Sequence, residues 1–330
     1  MDTRTSYLGL TLPHPFIAGA SPFGYHLDTI KRLEDAGCAA IVLHSLFEEQ
    51  ITRAHEGHVA HMDVFECDCP PALKIFPAPD EYPFGPDEYA EHIRRAKQTV
   101  AMPVIGSLNG RTPEAWLKYA SVIEQAGADA LELNLYDIPA DLSVPASAIE
   151  DRLVSGVKDV VRLLKIPVAV KLSPFFTALG SLARQLDAAG AGALVLFNRF
   201  YQPDIDIRTM TVAPQAQLST SGELLLRLRW VAILHGRIRP SLALTGGVAV
   251  PEDGIKAILA GADVVQMVSA LLRHGPSFVG SVHQALERWM AWQKIDRLVD
   301  ARGLVSLRAM EDGSSFERAH YIRALHSWTA

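Results

Sequence analysis

Cysteine is scarce in this chain: Cys38, Cys67 and Cys69 are the three in 330 residues. That is too few for a disulfide framework. Long apolar runs are lacking as well. None reaches the roughly 20 residues that a membrane-spanning helix needs, so no membrane partner is expected. The opening residues, Met-Asp-Thr-Arg-Thr-Ser-Tyr, lack the basic-then-apolar pattern of a secretion signal. These absences lead us to expect a reduced, cytoplasmic protein. Positive charge is not in excess either. The net charge is −6, with both signs scattered along the chain. Nucleic acid is therefore not an expected partner, because phosphate backbones need a basic surface. No Gly-x-Gly-x-x-Gly follows the first candidate strand, which argues against an open doubly wound sheet that binds a dinucleotide.

What is present is an internal repeat. One phrase reads Asp35-Ala36-Gly37-Cys38-Ala39-Ala40-Ile41-Val42-Leu43. It returns at Gln125–Leu133, Ala189–Leu196 and Leu259–Met267, each time as a helix ending, a glycine, small residues and an apolar strand. Glycine takes the left-handed conformation that ends a helix. The aliphatic run after it suits a strand buried on both faces. A second phrase puts proline just before a strand, as in Pro13–Ile17, Met102–Gly106, Ile166–Val170 and Pro240–Leu244. The two phrases alternate, with proline before strands one, three, five and seven and glycine before strands two, four, six and eight. Helical patterns fill the gaps, for example Pro113 to Gln125, Ala146 to Lys165 and Glu223 to His235. Eight strand–helix units predict an α/β fold, a closed (βα)8 TIM barrel. Such a barrel typically needs about 250 residues, so residues 1–330 are read as one domain with insertions.

The insertions fall at about 46–86, which carries a proline cluster, and at about 198–221. Both follow the carboxyl end of a strand, the active face of such barrels, where long loops usually serve as lids or substrate walls. Cys67-Asp68-Cys69 lies in the first insertion, near His55, His58 and His61. Two thiols, with Cys38 on a distant helix end, do not complete a tetrahedral site; the histidines could add ligands, but a solvated loop is the reading taken. No metal is expected.

The strand ends carry the candidate chemistry. Gly246-Gly247 offers backbone N–H groups after strand seven, and Ser269 opens a short helical segment after strand eight. Barrels often bind phosphate there. Lys171, within Val-Lys-Leu on strand five, either meets an anion or polar cofactor or pairs with Glu132 on the neighbouring strand. Asn134 and Asn198 end strands four and six. Each supplies a donor and an acceptor for a heterocycle edge, or merely caps a turn. His44 after strand two is a candidate acid, base or anion ligand, or a satisfied polar histidine. Arg199 would take a substrate carboxylate or a surface acid.

Taken in order, these motifs resemble the dihydroorotate dehydrogenase family over nearly the whole barrel. Glu132-Leu133-Asn134-Leu135 resembles the family's Glu-Leu-Asn-Leu-Ser-Cys-Pro-Asn, and Val170–Pro174 resembles its strand-five motif. Thr245-Gly246-Gly247 and Gln266–Leu271 resemble its phosphate-binding end, and Ala20-Ser21 its first flavin loop. The resemblance implies FMN. Gly246, Gly247 and Ser269 would hold the phosphate, and Ala20, Ser21 and Asn134 would line the ring. Lys171 would lie near the flavin N1–C2 edge, where negative charge collects on reduction. It also implies a place in pyrimidine biosynthesis and a homodimer, and the electron acceptor stays open among fumarate, a quinone, a nicotinamide and a redox partner protein.

The departures are specific. The family's base is a cysteine or serine after strand four, and direct counting puts Asp137 there. Pro139 stands where the family has an asparagine. His44 replaces a lysine, and the loop after strand two offers no matching asparagine. Of the family's substrate-binding polar groups Asn134 and Asn198 remain, with His44 and Arg199 as further candidate substrate contacts. The expected function is hydride transfer between flavin and a small acid, dihydroorotate/orotate or an analogue, with Asp137, Lys171 and His44 as catalytic candidates. An FMN barrel for electron transfer or regulation is one alternative. A lyase or isomerase using Lys171 as a Schiff-base amine on a phosphorylated substrate is another.

Overall fold

Proline and glycine phrases alternate in the fold as they do in the sequence. In the computed structural model each introduces one strand of a closed parallel barrel. The structure describes residues 1–48, 85–110, 112–199, 202–213 and 217–310, with 316, 321, 325 and 326. The barrel strands are β1 (Phe16–Ala18), β2 (Ile41–Phe47), β3 (Val104–Asn109), β4 (Ala130–Asn134), β5 (Val168–Leu172), β6 (Ala193–Leu196), β7 (Ser241–Thr245) and β8 (Val264–Met267). They pair in sequence order, and β8 closes on β1. Gly37, Gly127, Gly190 and Gly261 carry φ of +85°, +92°, +94° and +118°, the conformation that the repeated phrase predicts.

Between the strands lie α1 (Leu27–Asp35), α2 (Pro86–Thr99), α3 (Pro113–Gln125), α4 (Ala146–Leu163), α5 (Leu179–Ala189), α6 (Ser221–Leu234) and α7 (Pro251–Ala260). The chain continues through α8 (Ser269–His274), α9 (Phe278–Gln293) and α10 (Leu298–Ala301). The α3 bounds match the sequence pattern. The α6 helix starts two residues earlier than its apolar pattern does, because Thr220 and Glu223 form a capping box around its first turn. No helix among the described residues is long and apolar enough to cross a membrane.

Strand residues alternate between two cores. Leu131, Leu133, Val170 and Leu194 pack outward under the helices. Ile17, Val42, Ile105, Ala130, Ala169, Ala193 and Ala243 fill the barrel's lower interior. Small alanines leave room there for Tyr7 and Leu12 from a hairpin (Thr5–Tyr7 with Leu10–Leu12) that plugs the bottom. Its two turn residues, Leu8 and Gly9, both have positive φ, as a tight two-residue hairpin requires. Above this apolar floor the inward positions become polar, which is where the candidate site begins.

The insertion at about 46–86 falls mostly outside the described residues, and Cys67, Cys69, His55, His58 and His61 lie in that part. From the second insertion the structure describes a short hairpin, Asp204–Asp206 with Thr211–Ala213.

Candidate active site

Two layers of polar side chains cross the barrel above its alanine floor. The lower holds Glu132, fully buried on β4. Its Oε1 accepts from Lys171 Nζ of β5 at 3.1 Å, and its Oε2 accepts from Gln266 Nε2 of β8 at 2.7 Å. Lys171 thus makes the pairing that its position beside Glu132 allows, with its ammonium buried at the mouth. The upper layer is a chain of hydrogen bonds. Asn198 Nδ2 donates to Asn134 Oδ1, Asn134 Nδ2 donates to Ser45 Oγ at 3.4 Å, and Ser45 meets Ser107 at 2.7 Å. Asn134 and Asn198 therefore converge from strands four and six, as the sequence suggests. Ser45, Ser107 and Gln266 were not singled out in the sequence. The visible signal for each is a polar residue within an otherwise aliphatic strand.

His44 faces the other way. The β2–β3 register shifts between Val42 and Ser45, which marks a β-bulge. Simple alternation from Val42 would point His44 inward, but the bulge gives that place to Ser45. The His44 ring instead packs against Tyr25, with centroids 4.1 Å apart, and edge-on to Tyr89. Its Nδ1 donates to the Gly24 carbonyl at 3.3 Å. Burial pushes its pKa down to about 3, and His92 nearby adds to the shift. A neutral ring can exchange hydrogen bonds but supplies no cation for an anionic group.

This burial has a consequence for stability. His14 is also pushed down, to about 4, by burial and by His283. Both rings are neutral in the folded protein, whereas the unfolded chain protonates near 6.5. The unfolded state therefore binds more protons below that pH, and stability falls as pH drops from 6.5 toward 4. Each ring should cost about 2 kcal/mol by pH 5. Urea unfolding at pH 7.5, 6 and 5 checks this. A midpoint that holds steady down to pH 4 would contradict the buried neutral assignment.

The far side of the mouth gathers hydroxyls, glycines and a buried guanidinium. Gly246 and Gly247 follow β7 with φ of +82° and +83°. Ser219 Oγ accepts from Gly247 N–H at 3.0 Å, and Ser219 N–H donates to Ser269 Oγ at 3.0 Å. Ser219 is buried, next to the first turn of α6. The Arg227 side chain, one helical turn further on, is buried and donates to the Thr245 and Glu223 carbonyls. Backbone N–H groups, two hydroxyls, a helix start and a buried guanidinium make a fitting donor set for a phosphate. Ser219 and Arg227 went unnoticed in the sequence, although the capping signature Thr220-x-x-Glu223 marks the helix start.

Ala20 and Ser21 follow β1 at the mouth. Gly19 before them lies so close to β8 that a Cβ there would come 2.9 Å from the Val268 side chain. Asp137 lies on the open loop after β4, and its carboxylate accepts from Arg152 of α4 at 3.0 Å. Pro139 is exposed two residues on. Arg199 is exposed, with Glu223 at 3.6 Å. The structure thus gathers Asn134, Lys171 and Asn198 at one mouth, turns His44 away from it, and leaves Asp137 and Arg199 on its rim. Among the described residues no three His, Cys, Asp or Glu side chains cluster as a metal site requires.

The sequence matches the family described as Dihydroorotate dehydrogenase over residues 83–290. The chain is 27% identical over 308 residues to a Thermoplasma acidophilum protein named dihydroorotate dehydrogenase B (NAD(+)), catalytic subunit, with 92% of this chain and 98% of that one covered. A Thermoplasma volcanium protein of the same name is 25% identical, with 93% and 99% covered. Another of that name, from Methanocella arvoryzae, is 27% identical, with 88% and 94% covered. The family match runs from α2 to α9 and takes in more than half of the sequence, and this chain belongs to the dihydroorotate dehydrogenase family.

Proposed function

We propose that the chain, as one barrel domain, is an FMN-dependent dehydrogenase that acts on a CH–CH bond of a small acid, dihydroorotate or an analogue. The observation that carries this reading is the cradle of Gly246, Gly247, Ser219 and Ser269 at the end of β7 and β8. The left-handed glycines let the β7 end approach Arg227 and the first turn of α6 closely, and the two serine hydroxyls gathered there suit a phosphomonoester. When bound, the flavin accepts the hydride. The chain's own residues bind and orient. Ser219 and Ser269, with the backbone at Gly246 and Gly247, would hold the phosphate, and Ala20, Ser21 and Asn134 would face the ring. Lys171 would supply positive charge at the edge where reduction places negative charge. Asn134 and Asn198 would orient the substrate.

The Schiff-base alternative fares poorly, because an ammonium clasped by a buried carboxylate is not a free amine nucleophile. Three relatives are each named as a catalytic subunit. We accordingly propose a separate redox partner protein as electron acceptor for this chain too. A cytoplasmic homodimer completes the reading.

The purified protein should be yellow, or become so with FMN. Several charge-assisted hydrogen bonds to phosphate should together contribute about 3 kcal/mol or more. FMN should therefore bind at least about a hundredfold tighter than riboflavin, which lacks the phosphate. A protein that takes up neither flavin, or both equally, would overturn the cradle assignment.

A further inference from the structure

Resting on the proposed flavin reading, we infer that Glu132 is a positioning residue that keeps Lys171 protonated before and after reduction, so that reduction brings in one proton and not two. The geometry carries this. The carboxylate is completely buried, 3.1 Å from the Lys171 ammonium, and its other oxygen is tied to Gln266 at 2.7 Å. It sits one layer below the Asn134–Asn198 pair at the mouth. A buried ammonium with no counter-ion sheds its proton. Gln266 in turn spans β8 and β4, so the carboxylate is held from two sides and its orientation does not depend on Lys171 alone.

The charge balance follows. Two electrons and one proton entering the flavin leave one net negative charge on it. With Glu132 ionised, Lys171 carries its proton throughout, and that negative charge meets a cation already in place. Without the carboxylate, Lys171 would be neutral against an oxidised, uncharged flavin, and a second proton would enter as the electrons arrive.

The neighbouring groups do not substitute for Glu132. The hairpin presents Tyr7 and α2 presents Tyr89, both pushed up by burial and so neutral at ordinary pH. His44 on β2 is neutral in the same range. Among the described residues, the other buried polar groups on these strands include Ser45, Ser107, Asn109, Asn134, Thr245 and Gln266, which do not titrate. Among the described residues, Glu132 is the carboxylate paired with Lys171.

The test is potentiometric titration of the FMN-loaded protein from pH 6.5 to 9. One proton per two electrons shifts the reduction equilibrium tenfold per pH unit, about 30 mV for a two-electron couple. The wild type should follow that slope. Glu132→Gln should follow a hundredfold change per pH unit, about 60 mV. In a Lys171→Met background the same Glu132→Gln change should leave the slope unaltered. An unchanged slope in the single variant, or an equal change in both backgrounds, overturns the proposal. If Glu132→Gln fails to fold, NMR of the 15N-lysine-labelled wild type decides. Its Lys171 signal, assigned from Lys171→Met, should be an ammonium in oxidised and reduced protein alike, and a neutral amine in the oxidised protein overturns the idea. Failure to bind any flavin would refute the cofactor reading instead. A flavin whose potential ignores Lys171→Met would overturn the proposal while leaving the cofactor reading standing.

Discussion

Gly247→Ala is expected to lower the melting temperature by about 3–7 °C and to weaken FMN binding more than tenfold. Gly127→Ala should cost only a few degrees. Both glycines have positive φ, +83° and +92°. An alanine in that conformation costs about 1–2 kcal/mol at either site. The difference lies in what a new methyl group would meet. Nothing lies within 4 Å of a Cβ on Gly127, whereas on Gly247 it would sit 2.5 Å from the Leu224 nitrogen and 2.6 Å from its Cα. Those atoms belong to the backbone of α6 and cannot rotate away, so the helix start must shift. Overpacking of this kind costs a further 1–3 kcal/mol or so. The sum is about 2–5 kcal/mol, and for a chain of 330 residues each kcal/mol is about 1.4 °C, which gives the stated loss. Moving α6 also pulls Ser219 away from Gly247 N–H and opens the cradle. Calorimetry of the two variants, with FMN titrations, separates the effects. Equal melting losses at the two positions would mean that helix contact plays no part at Gly247.

The same contrast shows what could be read from the sequence. The repeated glycine and proline phrases reveal the barrel because each is a local device: a left-handed helix stop or a proline before a strand, followed by residues that tolerate burial on both faces. Such signals need no knowledge of distant contacts. Gly246-Gly247, Ser269, Lys171 and Asn134 are legible for the same reason, as polar or glycine residues at the ends of aliphatic strands. His44 shows where that reasoning stops. One extra residue in β2 relative to β3 reverses its facing and brings Ser45 to the mouth. Nothing in Ile41-Val42-Leu43-His44-Ser45 announces the bulge. Ser219 and Arg227 are hidden differently. They reach the cradle from an irregular segment and from a helix face, and only tertiary packing brings them beside Gly246 and Gly247.

Dihydroorotate is expected to reduce the bound flavin at least about a hundredfold more slowly than it reduces that of the Thermoplasma acidophilum relative measured alongside. Three features of the site lead to this. A substrate amide left without its partner costs about 1–3 kcal/mol, and Pro139 cannot replace an asparagine side chain. His44, turned outward by the bulge and neutral, offers no cation where the family places a lysine. The third feature is the base. Asp137 lies on an open loop with its carboxylate toward Arg152, 30% and 47% exposed respectively. An ion pair so exposed is worth little and would not by itself lock the side chain. Yet a carboxylate stands where the family uses a thiol or hydroxyl, and general-base efficiency depends on the identity and placement of that group. Even about 1 kcal/mol from each loss gives about 3 kcal/mol, which is the stated hundredfold. Stopped-flow mixing under anaerobic conditions measures it, and fast, saturable bleaching by dihydroorotate would defeat the argument. Asp137→Cys, which restores a thiol, should recover part of the rate with dihydroorotate. If slow bleaching persists unchanged in Asp137→Cys while another planar unsaturated acid reoxidises the reduced flavin quickly, the altered contacts, and not the base, set the substrate. That outcome would make Asn134 and Asn198 the next residues to replace, because their hydrogen-bonded pair spans the mouth above Lys171.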